Sequence, residues 1–267
     1  MGRMIVDNLP IWYEEFGDGP NAVLVIPGAI GTAKSDFDKQ FYSDNLDERL
    51  DQKKFKFICV ELPGWGKSCP PERGQGPSIL HSDADRLATL MENLGHNYYS
   101  VYGWSEGSKV AIIMGRKFGD SRIKALILQG CVTYASDTST KRILWSRDLQ
   151  NWDQEMLKRY ISAYDDDFDR VEDLWQRHID FAIEKYGEFY PKGLLGPVED
   201  GLKSIKCSTM ILHGDRDFFV ELQQAEHIVR NVPKSRLIRF NNCGHNLHQV
   251  EPIKFKQTLE KFLSENI

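Results

Sequence analysis

A chain of 267 residues with 41% apolar and 27% charged side chains can fill one large domain, or one domain with an insertion, and still present an ordinary polar surface. Its 34 basic residues are outnumbered by 39 acidic ones, and a net charge of −5 argues against a general nucleic-acid binder, which normally carries a basic face. Membrane association is not expected, because no apolar run approaches spanning length, and five scattered cysteines (Cys59, Cys69, Cys131, Cys207, Cys243) do not make a disulfide framework.

The opening segment, MGRMIVDNLPIWYEEFG, has neither the apolar core of a secretory signal nor the Arg/Ser-rich character of a transit peptide, so an intracellular, cytoplasmic setting is expected. Its Met-Gly start resembles a myristoylation site, but Val6 stands where Ser or Thr is wanted. The first strand is expected at NAVLVI and the second at FKFICV, both near-continuous apolar runs of the kind found in parallel strands buried on two faces. Leu87, Leu90, Met91 and Leu94 then recur at helical spacing, with Ser82 and Asp83 as the expected caps. A strand at YYSVYG is followed by the all-apolar stretch Val110 to Met114, which predicts a buried helix. After a strand at KALILQG the alternation breaks, from about Ser136 to Pro197. There Trp145, Leu149, Trp152, Leu157, Tyr160, Ile161 and Tyr164 suggest one helical face, and Leu174, Trp175, His178, Ile179 and Ala182 another. The acidic run in SAYDDDFDRVED between them reads as solvated surface. Strands at STMILHG and SRLIRF, a helix from about Glu221 and another from Pro252 to the end complete the series. The expected class is α/β with a mostly parallel sheet: a core of residues 1–135 and 198–267, and a helical lid over 136–197.

Gly103-Trp104-Ser105-Glu106-Gly107 matches G-x-S-x-G in the context that motif needs, after a strand and at the start of a helix. A nucleophile at such a turn tip has strained backbone; Gly103 relieves crowding in the turn and Gly107 lets the helix approach the sheet. A serine hydroxyl needs a base, and the base needs an acid to fix its tautomer. His245, in NNCGHNLHQ after the last strand, is the candidate base, and Asp217, in the loop after STMILHG, the candidate acid. The order Ser, Asp, His is the one this architecture uses. Asp215 is the rival acid, placed closer to the strand end and read as structural. His248, one helical turn from His245, is expected to pack or hydrogen-bond beneath it, and His213 to sit in the core. The expected oxyanion donors are the N–H of Glu106 and, from PGAIG after the first strand, that of Ala29, or Ile30 if the turn shifts by one. Cys243, His245 and His248 do not make a metal motif, and GWGKS lacks the leading glycine of a phosphate loop because Glu61 stands there. No cofactor and no metal are expected.

VLVIPGAIG, GWSEGS, LHGDRDFFV and GHNLHQVEPIKF together resemble the α/β-hydrolase superfamily over nearly the whole chain and, within it, the valacyclovir hydrolase (biphenyl hydrolase-like) family. The resemblance implies an α/β-hydrolase fold with a helical lid, Ser105, Asp217 and His245 as triad, and a serine esterase for small α-amino-acid esters. It is expected to act as a monomer. In that family an aspartate follows the nucleophile and holds the substrate's ammonium group; here it is Glu106, one methylene longer. Glu106 therefore has two readings, a first-turn acid favoured by the helix dipole or the ammonium anchor. A carboxylate beside a developing oxyanion repels it, a cost that a cationic substrate group would offset. Neutral carboxylesterase or carbon–carbon bond hydrolase chemistry, or ligand binding without turnover, are the alternatives.

Overall fold

The computed structural model describes residues 1–74, 76, 78–119, 121–134, 136–189 and 198–267, without the side chains of 185–189 and 198–200. The strands in chain order are β1 (Gly2–Val6), β2 (Leu9–Phe16), β3 (Asn21–Ile26), β4 (Phe55–Glu61), β5 (Tyr99–Trp104), β6 (Ile123–Gln129), β7 (Ser208–Gly214) and β8 (Ser235–Phe240). They form one sheet in the order β1-β2-β4-β3-β5-β6-β7-β8. The six strands read from the sequence are its parallel body, and β1 and β2 extend it antiparallel beyond β4.

That edge hairpin was not expected from the sequence. Its signal is Asp7-Asn8, where both residues have positive φ (48° and 62°) and form the two-residue turn that suits the twist of antiparallel strands.

The helices are α1 (Ala33–Asp36), α2 (Asp38–Phe41), α3 (Ile79–Asn93), α4 (Glu106–Phe118), α5 (Asp137–Trp145), α6 (Gln154–Ala163), α7 (Phe168–Phe189), α8 (Val198–Lys203), α9 (Leu222–Asn231), α10 (Leu247–Val250) and α11 (Pro252–Ser264). Strands β3 to β7 are buried on both faces, which explains why they do not alternate. In β3, Leu24 and Ile26 face the core shared with α3 and α4, and Val23 and Val25 face the core shared with α2 and α11. Burying such side chains stabilises the fold by about 1.5–3 kcal/mol each. No helix among the described residues is long and apolar enough to cross a membrane.

Two expectations are corrected. Ser82 and Asp83 lie inside α3, whose N-cap is Ser78; Asp83 is fully buried and accepts from Arg73 at 2.6 Å. The first lid face is not one helix. It divides into α5, a 3-10 turn at Leu149–Asn151 and α6, because Asp148 and Asp153 each cap a new helical start through their side chains. The insertion between β6 and β7 is nevertheless held together by its aromatics: Trp152 packs edge-on against Tyr160 and Trp175, and both indole N–H groups donate to the Ser146 carbonyl. The acidic residues Asp165 to Asp167 are exposed. Residues 190–197, at the end of the expected lid, lie outside the described residues.

Candidate active site

The parallel strands end on one side of the sheet, where loops from five of them meet, as ligand sites in open α/β sheets do. β5 ends at Trp104 and α4 starts at Glu106, so Ser105 alone makes the turn, with φ 54° and ψ −117°. Its N–H donates to the Gln129 carbonyl at 2.9 Å. The flanking glycines are required by contact. A Cβ on Gly103 would lie 2.4 Å from the Gly107 carbonyl oxygen, and one on Gly107 would lie 2.2 Å from that of Ile26.

Asp217 sits three residues beyond β7, with its side chain 1% exposed. Its Oδ1 accepts the N–H groups of Phe219 and Val220 at 2.9 and 3.0 Å, which leaves Oδ2 to bond His245 Nδ1 at 2.8 Å. Burial pushes this carboxyl upward, but the His245 charge and hydrogen bond, with the Val220 N–H, outweigh it and hold Asp217 below the usual range. Asp215 instead accepts from Arg239 at 2.7 Å. Ser105 and His245 line the same cavity, with no hydrogen bond between them among the described residues; such contacts often tighten only when substrate binds. Gly130, at the end of β6, was missed. It has φ 58°, and a Cβ there would lie 2.6 Å from His245 Cε1.

His248 lies beneath the site and is fully buried. Gln129 Nε2 donates to its Nδ1 at 2.7 Å, so the proton resides on Nε2, which donates to the Asp36 carbonyl at 2.8 Å. Burial pushes its pKa down to about 3. The same Gln129 amide donates to the His245 carbonyl at 3.1 Å and Tyr102 donates to Gln129 Oε1 at 2.7 Å, so a neutral polar network supports the loop that carries His245. His213 is buried at the end of β7.

On the opposite side, Ala29 lines the cavity, whereas Ile30 is fully buried and its carbonyl accepts from Tyr164 at 2.8 Å. Among the described residues, the N–H groups of Ala29 and Glu106 bond to no protein acceptor, as an oxyanion hole requires. The cavity has a volume of about 100 Å³ and is roofed by Ile143, Trp152, Met156, Trp175 and Ile179 from the inserted helices.

The wall beside Ser105 holds an ion pair that the sequence reading missed. Lys109 Nζ lies 2.7 Å from Glu106 Oε2, one helical turn away, and the two side chains are only 9% and 11% exposed. Glu at i and Lys at i+3 is a readable helix pair, hidden here because Lys109 opens an otherwise apolar run. Burial pushes the Glu106 carboxyl upward, but Lys109 outweighs it and brings it to about 2. His178, also in the wall, is pushed down to about 4 by burial and is neutral at pH 7, so Lys109, with a smaller contribution from Arg73, supplies the positive charge there. The Glu106 charge, for which the sequence suggested a substrate cation as the offset, is thus already met within the protein by Lys109. Among the described residues no three His, Cys, Asp or Glu side chains are grouped to hold a metal.

Known proteins agree with this architecture. The chain is 27% identical over 261 residues to the mouse (Mus musculus) serine hydrolase BPHL, covering 98% of this chain and 85% of that protein. It is 28% identical over 262 residues to the human (Homo sapiens) protein of the same name, with the same coverage. A meta-cleavage product hydrolase from Pseudomonas fluorescens superposes with a TM-score of 0.71 at 18% identity, over 99% of this chain and 98% of that one, a likeness of fold. The sequence model of the α/β-hydrolase fold matches residues 21–164, more than half of the chain, and this protein belongs to that family.

Proposed function

We propose that this chain is a serine esterase that cleaves small α-amino-acid esters through an acyl-enzyme intermediate. Ser105 Oγ attacks the ester carbonyl while His245 Nε2 takes its proton, and Asp217 holds the imidazole in the tautomer that allows this. The N–H groups of Ala29 and Glu106 receive the oxyanion. The C–O bond to the alcohol breaks as His245 returns the proton to the leaving oxygen. Water, activated by the same histidine, then releases the acid and restores Ser105.

The observation that carries the substrate class is the ionised Glu106 carboxylate in the cavity wall, one residue after the nucleophile. Lys109 occupies Oε2, and among the described residues no hydrogen bond reaches Oε1, which is the acceptor we assign to the substrate ammonium. The mainly apolar roof suits small apolar acyl side chains.

A neutral-ester reading has one observation in its favour, since an ion pair satisfied within the protein needs no cationic substrate. Two measurements decide between them. A serine-directed phosphonate must label Ser105, and kcat/KM must be higher for a valyl ester than for its deaminated counterpart. Equal values for the two esters would leave the esterase and remove the amino-acid preference.

A further inference from the structure

Asp36 is a buried carboxylate that the reaction above does not use. It ends α1, is 2% exposed, and lies behind the loop that carries Ala29. Its Oδ2 accepts the Gly28 N–H at 2.9 Å and its Oδ1 the Ser35 hydroxyl at 2.7 Å. The loop wraps it so closely that a Cβ on Gly31 would sit 2.0 Å from Oδ2. The Gly28 carbonyl is fixed separately by the Gly31 N–H at 3.1 Å. In a trans peptide the C=O and the next N–H point in opposite directions. Holding Gly28 at both its N–H and its carbonyl therefore fixes where the Ala29 N–H points. The Asp36 main chain reaches the other half of the site, since its carbonyl accepts from His248 Nε2 and Gln249 Nε2.

We propose that Asp36 is a positioning residue: its carboxylate aims the Ala29 N–H at the oxyanion, and protonation of that carboxylate releases the aim and slows catalysis. A neutral carboxyl accepts a hydrogen bond more weakly than a carboxylate, so the Gly28 clamp slackens without any loss of fold. The inference rests on the serine-esterase reading, in which Ala29 supplies an oxyanion donor.

Burial pushes Asp36 up to about 6, against the Ser35 hydroxyl, the Tyr160 hydroxyl, the Gly28 N–H and the Arg159 charge, which hold it down. The groups facing it are Arg159, Tyr160 and, more distantly, Tyr164 around α6, Cys59 of β4, Tyr102 of β5 and His248 of α10. Burial drives the phenols and the thiol upward and His248 downward, so none of these changes charge between pH 5 and 8. Glu61, which meets Cys59 and Tyr164 from the end of β4, is raised to about 7 by burial and titrates in the same window, but of the two only Asp36 bonds the Gly28 N–H, so the step lost in Asp36→Asn is the one assigned to it.

The experiment is a pH profile of kcat and kcat/KM for a valyl ester, in wild type, Asp36→Asn and Tyr160→Phe. Phosphonate labelling of wild-type Ser105 is scored first, and its absence would remove the esterase reading and this proposal together. With labelling present, the wild-type acid limb of log kcat/KM is expected to steepen near pH 6 by a partial step of about 10- to 100-fold from Asp36, added to the slope of one that the catalytic base gives. Asp36→Asn should reduce the slope to one and lower kcat by about 10- to 100-fold, short of the roughly 10²–10³-fold lost when an oxyanion donor is deleted outright, with KM within about twofold. Tyr160→Phe removes a hydroxyl that favours the ionised form, so its second acid step should move to higher pH. Retention of the extra acid step in Asp36→Asn, or a change confined to KM, overturns the proposal. If Asp36→Asn does not fold, an unmoved acid limb in Tyr160→Phe overturns it.

Discussion

The ion pair beside Ser105 makes a prediction in which two substitutions act in opposite directions. In the proposed complex a substrate ammonium lies about 3 Å from Glu106 Oε1, while Lys109 Nζ, held 2.7 Å from Oε2, stands roughly 5 Å from the same ammonium. At an effective dielectric of about 20, attraction to the carboxylate is about 5.5 kcal/mol and repulsion from Lys109 about 3.3 kcal/mol. The net is about 2 kcal/mol, or roughly 40-fold at 1.36 kcal/mol per decade. Wild type should therefore prefer a valyl ester over its deaminated counterpart by only one to two decades in kcat/KM. Lys109→Met removes the repulsion and should widen that preference by up to about two decades. Glu106→Gln leaves Lys109 facing the ammonium and should abolish or invert it. Glutamine is the right replacement because it keeps the backbone N–H that serves the oxyanion. The assay is kcat/KM for both esters in the three proteins, below and above the substrate amine's pKa. In wild type Glu106, already down at about 2, stays ionised throughout, so any loss of preference there as pH rises belongs to the substrate; in Lys109→Met the carboxyl loses the charge that holds it down. If both substitutions slow both esters equally, the pair serves the fold and the ammonium assignment is wrong.

Ser105→Ala should leave only the residual catalysis of binding and the oxyanion hole, about 10³–10⁴-fold over water, with an unchanged circular dichroism spectrum. Asp217→Asn should lower kcat by about 10⁴-fold by favouring the wrong histidine tautomer, whereas Asp215→Asn, which loses only its bond to Arg239, should stay within a few-fold; a reversed order would mean the acid has been misassigned. Gly130→Ala places a methyl group 2.6 Å from His245 Cε1 at φ 58°, and should lower kcat at least tenfold with little change in KM. Asp36→Asn should melt no lower than wild type at pH 7 despite its slower turnover. With a folded pKa of about 6 against 3.8, the ionised carboxylate costs stability progressively between pH 4 and 6, of order 3 kcal/mol once pH exceeds both values. A lower melting temperature for Asp36→Asn than for wild type at pH 7 would contradict this.

Much of the site was legible because its chemistry is local. Ser105 is marked by glycines that backbone contact demands, Asp217 follows a strand with a strong apolar signature, and His245 follows a mixed strand with a short apolar core. The edge hairpin was less visible: β1 and β2 carry mixed polar and apolar residues, and the turn that joins them has no glycine. The caps of α3 were misread because Asp83 does not cap the helix but pairs with Arg73, ten residues earlier, a contact set by tertiary packing. Gln129 and Asp36 escaped for the same reason, although His248, which both of them bond, was expected to pack or hydrogen-bond beneath His245. The three lie far apart in the chain and meet only because β6, α10 and α1 converge beneath the strand ends. The sequence can place a helix pair such as Glu106 and Lys109, but its meaning depends on burial.

Asp36 and Glu106 show what that dependence amounts to. Each is a buried carboxylate within a few residues of a proposed oxyanion donor, and burial alone would push both upward. Glu106 has an ammonium at 2.7 Å and falls to about 2. Asp36 is met chiefly by neutral dipoles (the Gly28 N–H and two hydroxyls) and rises to about 6. Environments that drive two like groups apart in this way assign them different work. The fixed charge, with one oxygen unclaimed by the protein, suits a substrate-binding group that must not titrate. The group poised near 6 holds backbone rather than substrate, and its protonation changes the shape of the hole without changing the charge that the substrate meets. The two acids on either side of Ser105 thereby separate recognition from alignment, and the fold accepts the instability of a buried, ionised Asp36 to keep them separate.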